Sequence, residues 1–203
     1  MENIKYAPTH CESTGRAQGE YRYYLEQIGD KMLFIIGLNP STANEDTCDR
    51  TMGRVLSFVQ NAGYNGFVML NLYPQRQTDK YALPKEQDEA IHQKSLQYIR
   101  ELGGKYPTAD ILLAFGNGIT LRSYLKKNLG DIIETLGDRK YLQIGTLTAK
   151  GYPRHPLYVA NNCSLVFCNI EKFKKRFYNQ PPPLQSINKF CVITFVGVFS
   201  FKK

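Results

Sequence analysis

The chain has 203 residues, enough for one domain with a proper core, and it lacks Trp while carrying 14 Tyr. From Leu165 onward seven Lys/Arg stand against one acid, so most of the formal charge of +8 lies there and the preceding residues are too balanced to demand a polyanionic partner. Five scattered cysteines without a Cys-x-x-Cys pair argue against a disulfide framework and structural zinc; with no apolar signal core after Met1 and no apolar run long enough to span a bilayer, a cytoplasmic protein with no membrane partner is expected.

Residues 21–28 and 31–38 are both strand-like, and Gly29-Asp30 between them predicts a β-hairpin. The second strand carries Met32-Leu33-Phe34-Ile35-Ile36 and breaks into Gly37-Leu38-Asn39-Pro40-Ser41-Thr42-Ala43. Proline fixes φ and removes an N–H, which holds Asn39 extended and lets its amide be aimed. A helix over 47–62 follows, with Asp46 and Asp49 at its start, Met52, Val55, Leu56 and Val59 on one face, and Gly63 at its end. Residues 66–70 form a buried strand opening into Asn71-Leu72-Tyr73-Pro74. The pattern Ile91, Ser95, Tyr98, Ile99, Leu102 predicts a helix over 85–102, stopped by Gly103-Gly104. A strand over 110–115 breaks at Gly116-Asn117-Gly118 into a third helix reaching about 128. Residues 141–144 read as the last core strand, before a Gly/Thr-rich loop and Gly151-Tyr152-Pro153-Arg154-His155-Pro156.

The remainder divides from this body. A single α/β domain is expected over 1–168, and a basic, proline-containing tail over 169–203, with a short basic helix at 169–178. The uncharged, β-prone segment 190–201 reads as an edge strand, an interface element, or sequence under little structural selection, the last being preferred.

Strand–helix alternation implies right-handed crossovers. The expected fold class is α/β, a three-layer sandwich with a mainly parallel central sheet of about four strands plus an N-terminal hairpin. Four strands end in polar or glycine-rich segments, and in a parallel sheet these gather on the one edge where ligands bind. Asn71 closes an uncharged strand, and its amide offers a donor and an acceptor suited to a nucleobase edge; an Asn bonding its own backbone in a turn is the equal structural alternative. His155, between Arg154 and Pro156, has the chemistry to stabilise developing negative charge, although lone histidines are usually structural. Asp46 and Asp49 read first as helix caps, with polarisation of a water near Asn39 as the second role. Arg50, Arg76 and Arg154 are candidates for phosphate contact, with solvated surface positions the default. No nucleophile elbow, Walker loop or dinucleotide fingerprint is present.

In combination these motifs resemble a bacterial and phage family, domain of unknown function 1643. The resemblance covers roughly residues 10–160: Cys11, Tyr21-Arg22-Tyr23, the Gly37–Ala43 loop, Asp49-Arg50-Thr51, Asn71-Leu72-Tyr73, Arg76-Gln77-Thr78-Asp79, Phe115-Gly116, and Gly151 through Tyr158. More distantly, the succession of a Gly-x-Asn-Pro loop, a strand ending in Leu-Asn, a strand ending in an aromatic-Gly pair and a His-Pro loop is similar to the uracil-DNA glycosylase superfamily. That likeness implies a glycosylase-like fold and a hydrolase acting on the N-glycosidic bond of a nucleobase. Asn39 would position water, Asn71 would read the base, and His155 would stabilise the departing base. Ser41, Thr42, Tyr73, Arg76, Gly116 and Arg154 complete the expected substrate-binding set. The expected partner is a nucleobase-containing ligand, with DNA as one carrier; no cofactor or metal is called for, and the oligomeric state is left open. The alternative is a non-catalytic nucleotide or nucleic-acid binding module on the same fold. Asn39 stands where the most efficient members have Asp, and an amide cannot act as a general base. The loop is nearer the mismatch-specific branch, which reads Gly-Ile-Asn-Pro. Leu157-Tyr158 stands where the superfamily has Ser after His-Pro, and no wedge loop for prying a base from duplex DNA is evident.

Overall fold

A computed structural model describes residues 5–14 and 20–178 of the chain. Its centre is a seven-stranded mixed sheet formed by β1 (His10–Thr14), β2 (Tyr21–Gln27), β3 (Met32–Gly37), β4 (Gly66–Asn71), β5 (Asp110–Leu113), β6 (Tyr141–Ile144) and β7 (Leu165–Phe167). The spatial order is β1-β2-β4-β3-β5-β6-β7. The inner four, β4, β3, β5 and β6, run parallel, whereas β2 joins β4 and β7 joins β6 antiparallel.

Every residue of β3 and β4 is buried, as parallel strands covered on both faces require. Alternation then sorts the side chains. Leu33 and Ile35 face a cluster built with Met52, Val55 and Val59 of α1 (Arg50–Asn61). Phe34 and Ile36 face the opposite cluster, which takes in Ile99 of α2 (Glu89–Lys105) and Leu129 and Ile133 of α3 (Ser123–Leu136). Burial of such a side chain contributes roughly 1.5–3 kcal/mol, so these alternating stripes hold helices on both faces of the sheet.

Several expectations are corrected. Residues 21–28 and 31–38 do not form a hairpin, because β4 lies between β2 and β3. Gly29 serves a close crossing: a Cβ there would fall 2.5 Å from the Asn65 carbonyl carbon and the Gly66 nitrogen. The antiparallel N-terminal pair is instead β1 with β2. Asp49, and not Asp46, caps α1, accepting from the Met52 N–H at 2.9 Å.

Helix α2 begins later than expected, where Asp88 accepts from Ala90 and Ile91 N–H groups, and it continues through Gly103-Gly104. The small Gly103 lets Leu136 of α3 approach, and the Arg139 guanidinium donates to the Gly103 carbonyl at 2.8 Å. The segment after β5 is a short 3-10 helix, Gly116–Thr120, before α3 proper, which runs past 128 to Leu136. Strand β6 is buried throughout, and a further, largely exposed edge strand, β7, pairs with it. Of the expected tail, the basic helix is present as α4 (Ile170–Tyr178), and Phe173 is 5% exposed in the main core, its ring 6.4 Å from that of Phe115. The packed body therefore extends past residue 168. The segment 190–201 lies outside the described residues.

Candidate functional site

The parallel strands deliver their carboxyl ends to one edge, and a cavity of about 970 Å³ opens there. Its walls come from four places: Leu38, Asn39, Ser41 and Thr42 after β3; Thr47 through Thr51 at the start of α1; Phe115 through Gly118 after β5; and Arg154, His155, Leu157 and Tyr158 from the loop after β6. Gln77, Thr78 and Lys80 close one side, Thr148 and Ala149 another.

The first loop is held by a web of bonds to its backbone. Asn39 Nδ2 donates to the carbonyls of Pro40 (3.0 Å) and Gln77 (2.7 Å), which consumes both amide hydrogens and leaves Oδ1 as the available atom. Arg76 Nη1 donates to the Ser41 and Ala43 carbonyls at 2.8 and 3.0 Å. Asp49 accepts from the Ala43 N–H with Oδ2 while capping α1 with Oδ1. Asn39, Ser41 and Thr42 are thus presented to the cavity on a loop tied at several points.

His155 sits across that space. Its Nδ1 accepts from the Leu157 N–H at 3.3 Å, so in the neutral ring the proton is on Nε2. Burial, reinforced by the Lys80 ammonium and only partly opposed by Asp49, lowers its pKa from 6.5 to about 4. The imidazole is therefore neutral at physiological pH, and among the described residues Nε2 has no hydrogen-bond partner. Gly116 is part of this arrangement. It adopts φ +64°, and a Cβ there would fall 2.9 Å from His155 Cβ, so only glycine allows the histidine its place.

The structure brings together Asn39, Ser41, Thr42, Gly116, Arg154 and His155 from the expected set. Arg154 lines the cavity while its Nε donates to the Thr146 carbonyl at 2.8 Å. Three expected ligand contacts fall elsewhere. Asn71 is 2% exposed and does not line the cavity; it lies opposite Gly37 in the β3–β4 register, where a Cβ on Gly37 would be 2.9 Å from its Oδ1. Among the described residues its amide has no hydrogen-bond partner on either atom. Tyr73 is buried in the core, its hydroxyl accepting from the Asp88 N–H at the start of α2. Arg76 works through the first loop's backbone, as above.

Other residues reach the site without having been assigned to it. Asn117 lines the cavity, and its Oδ1 accepts from the Thr148 hydroxyl at 2.8 Å. The strand-end signal that pointed to Asn71 applies to it equally. Lys80 and Tyr158 were concealed by ordinary surface-like contexts. Arg22 is 2% exposed; its Nη1 donates to the Ala43 carbonyl at 2.8 Å, and its Nε has no partner among the described residues. Burial first, and the Arg76 charge second, lower its pKa to about 10. With Asn39, Asp49 and His155 it lines a chamber of about 30 Å³, large enough for an ordered water. An arginine between two strand tyrosines was the available clue.

Among the described residues no group of three or more His, Cys, Asp or Glu side chains is arranged to hold a metal ion, and no helix is long and apolar enough to cross a membrane.

The family model described as "Protein of unknown function (DUF1643)" matches residues 22–157, about two thirds of the chain, and the protein belongs to that family. The match runs from Arg22 through the His155 loop, and so takes in nearly every wall of the cavity. No curated protein and no solved structure matches the chain.

Proposed function

We propose that this DUF1643 member is a glycosylase-like hydrolase that cleaves the N-glycosidic bond of a nucleobase carried in nucleic acid or a nucleotide, on a three-layer fold of the uracil-DNA glycosylase kind. The observation that carries the reading is the neutral His155, its Nδ1 spent on Leu157 and its Nε2–H left as an unpaired donor beside the cavity. A donor prepared in this way stabilises charge that develops on a leaving group without itself needing to be protonated. The bond between the sugar carbon and the base nitrogen breaks with its electron pair going to the base, whose carbonyl oxygen receives the Nε2–H hydrogen bond. A water, oriented by accepting groups such as Asn39 Oδ1, adds its oxygen to the sugar carbon; the proton it loses balances the one taken up by the departing base.

The amide that reads the base is assigned to Asn117. With Oδ1 held by Thr148, its Nδ2 hydrogens remain for an acceptor on the ligand. Phe115 supplies an apolar wall for the ring. Arg50, Lys80 and Arg154 outnumber Asp49 among the lining residues and favour a ligand carrying phosphate.

One observation favours the alternative, a binding module without turnover: both Asp49 oxygens already accept backbone N–H groups, and Asn39 cannot take a proton. Base release from uracil-, hypoxanthine- and mismatch-containing single- and double-stranded oligonucleotides and free nucleotides separates the two. The hydrolase releases base, and His155→Ala loses about 10²–10³-fold in rate while remaining folded. Absence of release together with a dose-dependent rise in Tm selects the binding module, and absence of both overturns the nucleobase reading.

A further inference from the structure

We infer that Lys80 and Tyr158 of the cavity lining, with Tyr81 beside Lys80, form a docking track for single-stranded nucleic acid, an inference that rests on the nucleobase reading of the cavity and specifies how its substrate is carried. Large exposed aromatic side chains are few among the described residues: Tyr158 is 71% exposed, Phe167 66% and Tyr81 65%. Two of these three flank one ammonium. Lys80 Nζ lies 5.5 Å from the centre of the Tyr81 ring and 5.9 Å from that of Tyr158. Tyr158 in turn has its ring 5.5 Å from His155, so a ring–cation–ring path leads from the inner histidine to the outer surface.

The rings are exposed but their backbones are pinned. Tyr81 lies on a short 3-10 helix, Lys80–Ala82, capped by Asp79, and its carbonyl accepts from Arg122 Nη2 at 2.6 Å. Tyr158 ends another, Pro156–Tyr158, whose first carbonyl accepts from Arg54 Nε at 3.4 Å. Side chains presented this way lose little freedom on binding, which suits them to act as stacking platforms.

Ligand chemistry selects among the carriers. A duplex keeps its base faces stacked on one another and offers the rim only sugar and phosphate. A mononucleotide has one base, which the cavity takes, leaving both tyrosines empty. A single strand supplies the flanking bases for the rings and the intervening phosphates for Lys80, and the excess of cations in the cavity lining complements its charge.

The test is fluorescence anisotropy with the full chain and short labelled oligonucleotides of one sequence, as single-stranded DNA, single-stranded RNA and duplex DNA, with the mononucleotide as competitor. Either single strand is expected to bind at least about tenfold more tightly than the duplex or the mononucleotide, and the tighter of the two identifies the sugar. Tyr81→Ala and Tyr158→Ala should each weaken strand binding by about fivefold or more. Phe167→Ala, equally exposed but on β7, should leave it unchanged. Duplex or mononucleotide binding as tight as the strand, or tyrosine variants that bind like the parent, would overturn the track. These results are independent of base release, so a track that fails while His155-dependent release persists leaves the hydrolase standing, and strand binding without release does the reverse.

Discussion

Polar side chains gather at both ends of the parallel strands, and the two ends treat them differently. At the amino end the Tyr64 hydroxyl bonds Asp110, Lys140 lies 3.6 Å from the same carboxylate, and the Lys31 ammonium sits 4.5 Å from the centre of the Tyr64 ring. A hollow of about 450 Å³ there is walled partly by groups already committed, including Lys105 and Tyr106, which both bond Glu26. At the carboxyl end Asn39 Oδ1, Asn117 Nδ2 and His155 Nε2 have no hydrogen-bond partner among the described residues, around a cavity about twice that size. The two inward histidines repeat the contrast: His92 Nε2 is 2.8 Å from Asp131, whereas among the described residues no acid lies in hydrogen-bond reach of His155. Polar density alone does not mark a site; uncommitted polarity around a cavity does.

The strongest way to sharpen this comparison is to damage the committed end. Gly29→Ala places a Cβ against the backbone of Asn65 and Gly66 and should cost about 3 kcal/mol, lowering Tm by roughly 2–4 °C for each kcal/mol. Ligand-induced stabilisation should survive, as thermal shift with and without nucleotide will show. A loss of ligand response at a temperature where the variant is folded would couple the two ends and break the comparison.

A pH series probes the uncommitted end. Because folding lowers the His155 pKa from 6.5 to about 4, the unfolded chain binds the extra proton first as pH falls. The stability associated with His155 is complete above pH 6.5, declines between 6.5 and about 4, and changes no further below that. Its size is on the order of 2 kcal/mol, reduced for partial exposure. Denaturant titrations should show this slope in the parent and lack it in His155→Asn, and equal slopes would refute the assignment.

Smaller effects separate the two asparagines. Asn117→Ala should weaken nucleotide binding by roughly three- to tenfold, the value of one hydrogen bond, with Tm nearly unchanged. Asn71→Ala should do least. It removes an amide with no partner among the described residues and leaves a small void, so Tm should move by no more than about 2 °C and ligand affinity not at all. A tenfold affinity loss in Asn71→Ala would return the base-reading role to that residue.

Most of the candidate cavity's lining was legible because its signal is local. Apolar strands that break into Asn39, Ser41, Thr42, Gly116 and the Arg154-His155 pair must, if parallel, share an edge, and the cavity is lined by those residues. Where local pattern admitted two answers, it failed. Asn71 and Asn117 both follow apolar strands, yet one abuts Gly37 and the other faces the cavity. Gly29 and Gly103 resembled a turn and a helix stop, but they serve close approach between elements far apart in the chain, and α2 runs on through Gly104. Strand β7, at three residues, was too short to carry a period.

The amino-acid sequence by itself determined the strand–helix alternation, the apolar faces and the residue types placed at the strand ends, since each depends on neighbours within a few positions. Tertiary structure alone decided that β4 separates β2 from β3, that Asn71 is enclosed while Asn117 is presented, and that His155 is neutral beside Lys80. Register, desolvation and the field of distant charges are properties of the assembled sheet, and no short window of residues contains them.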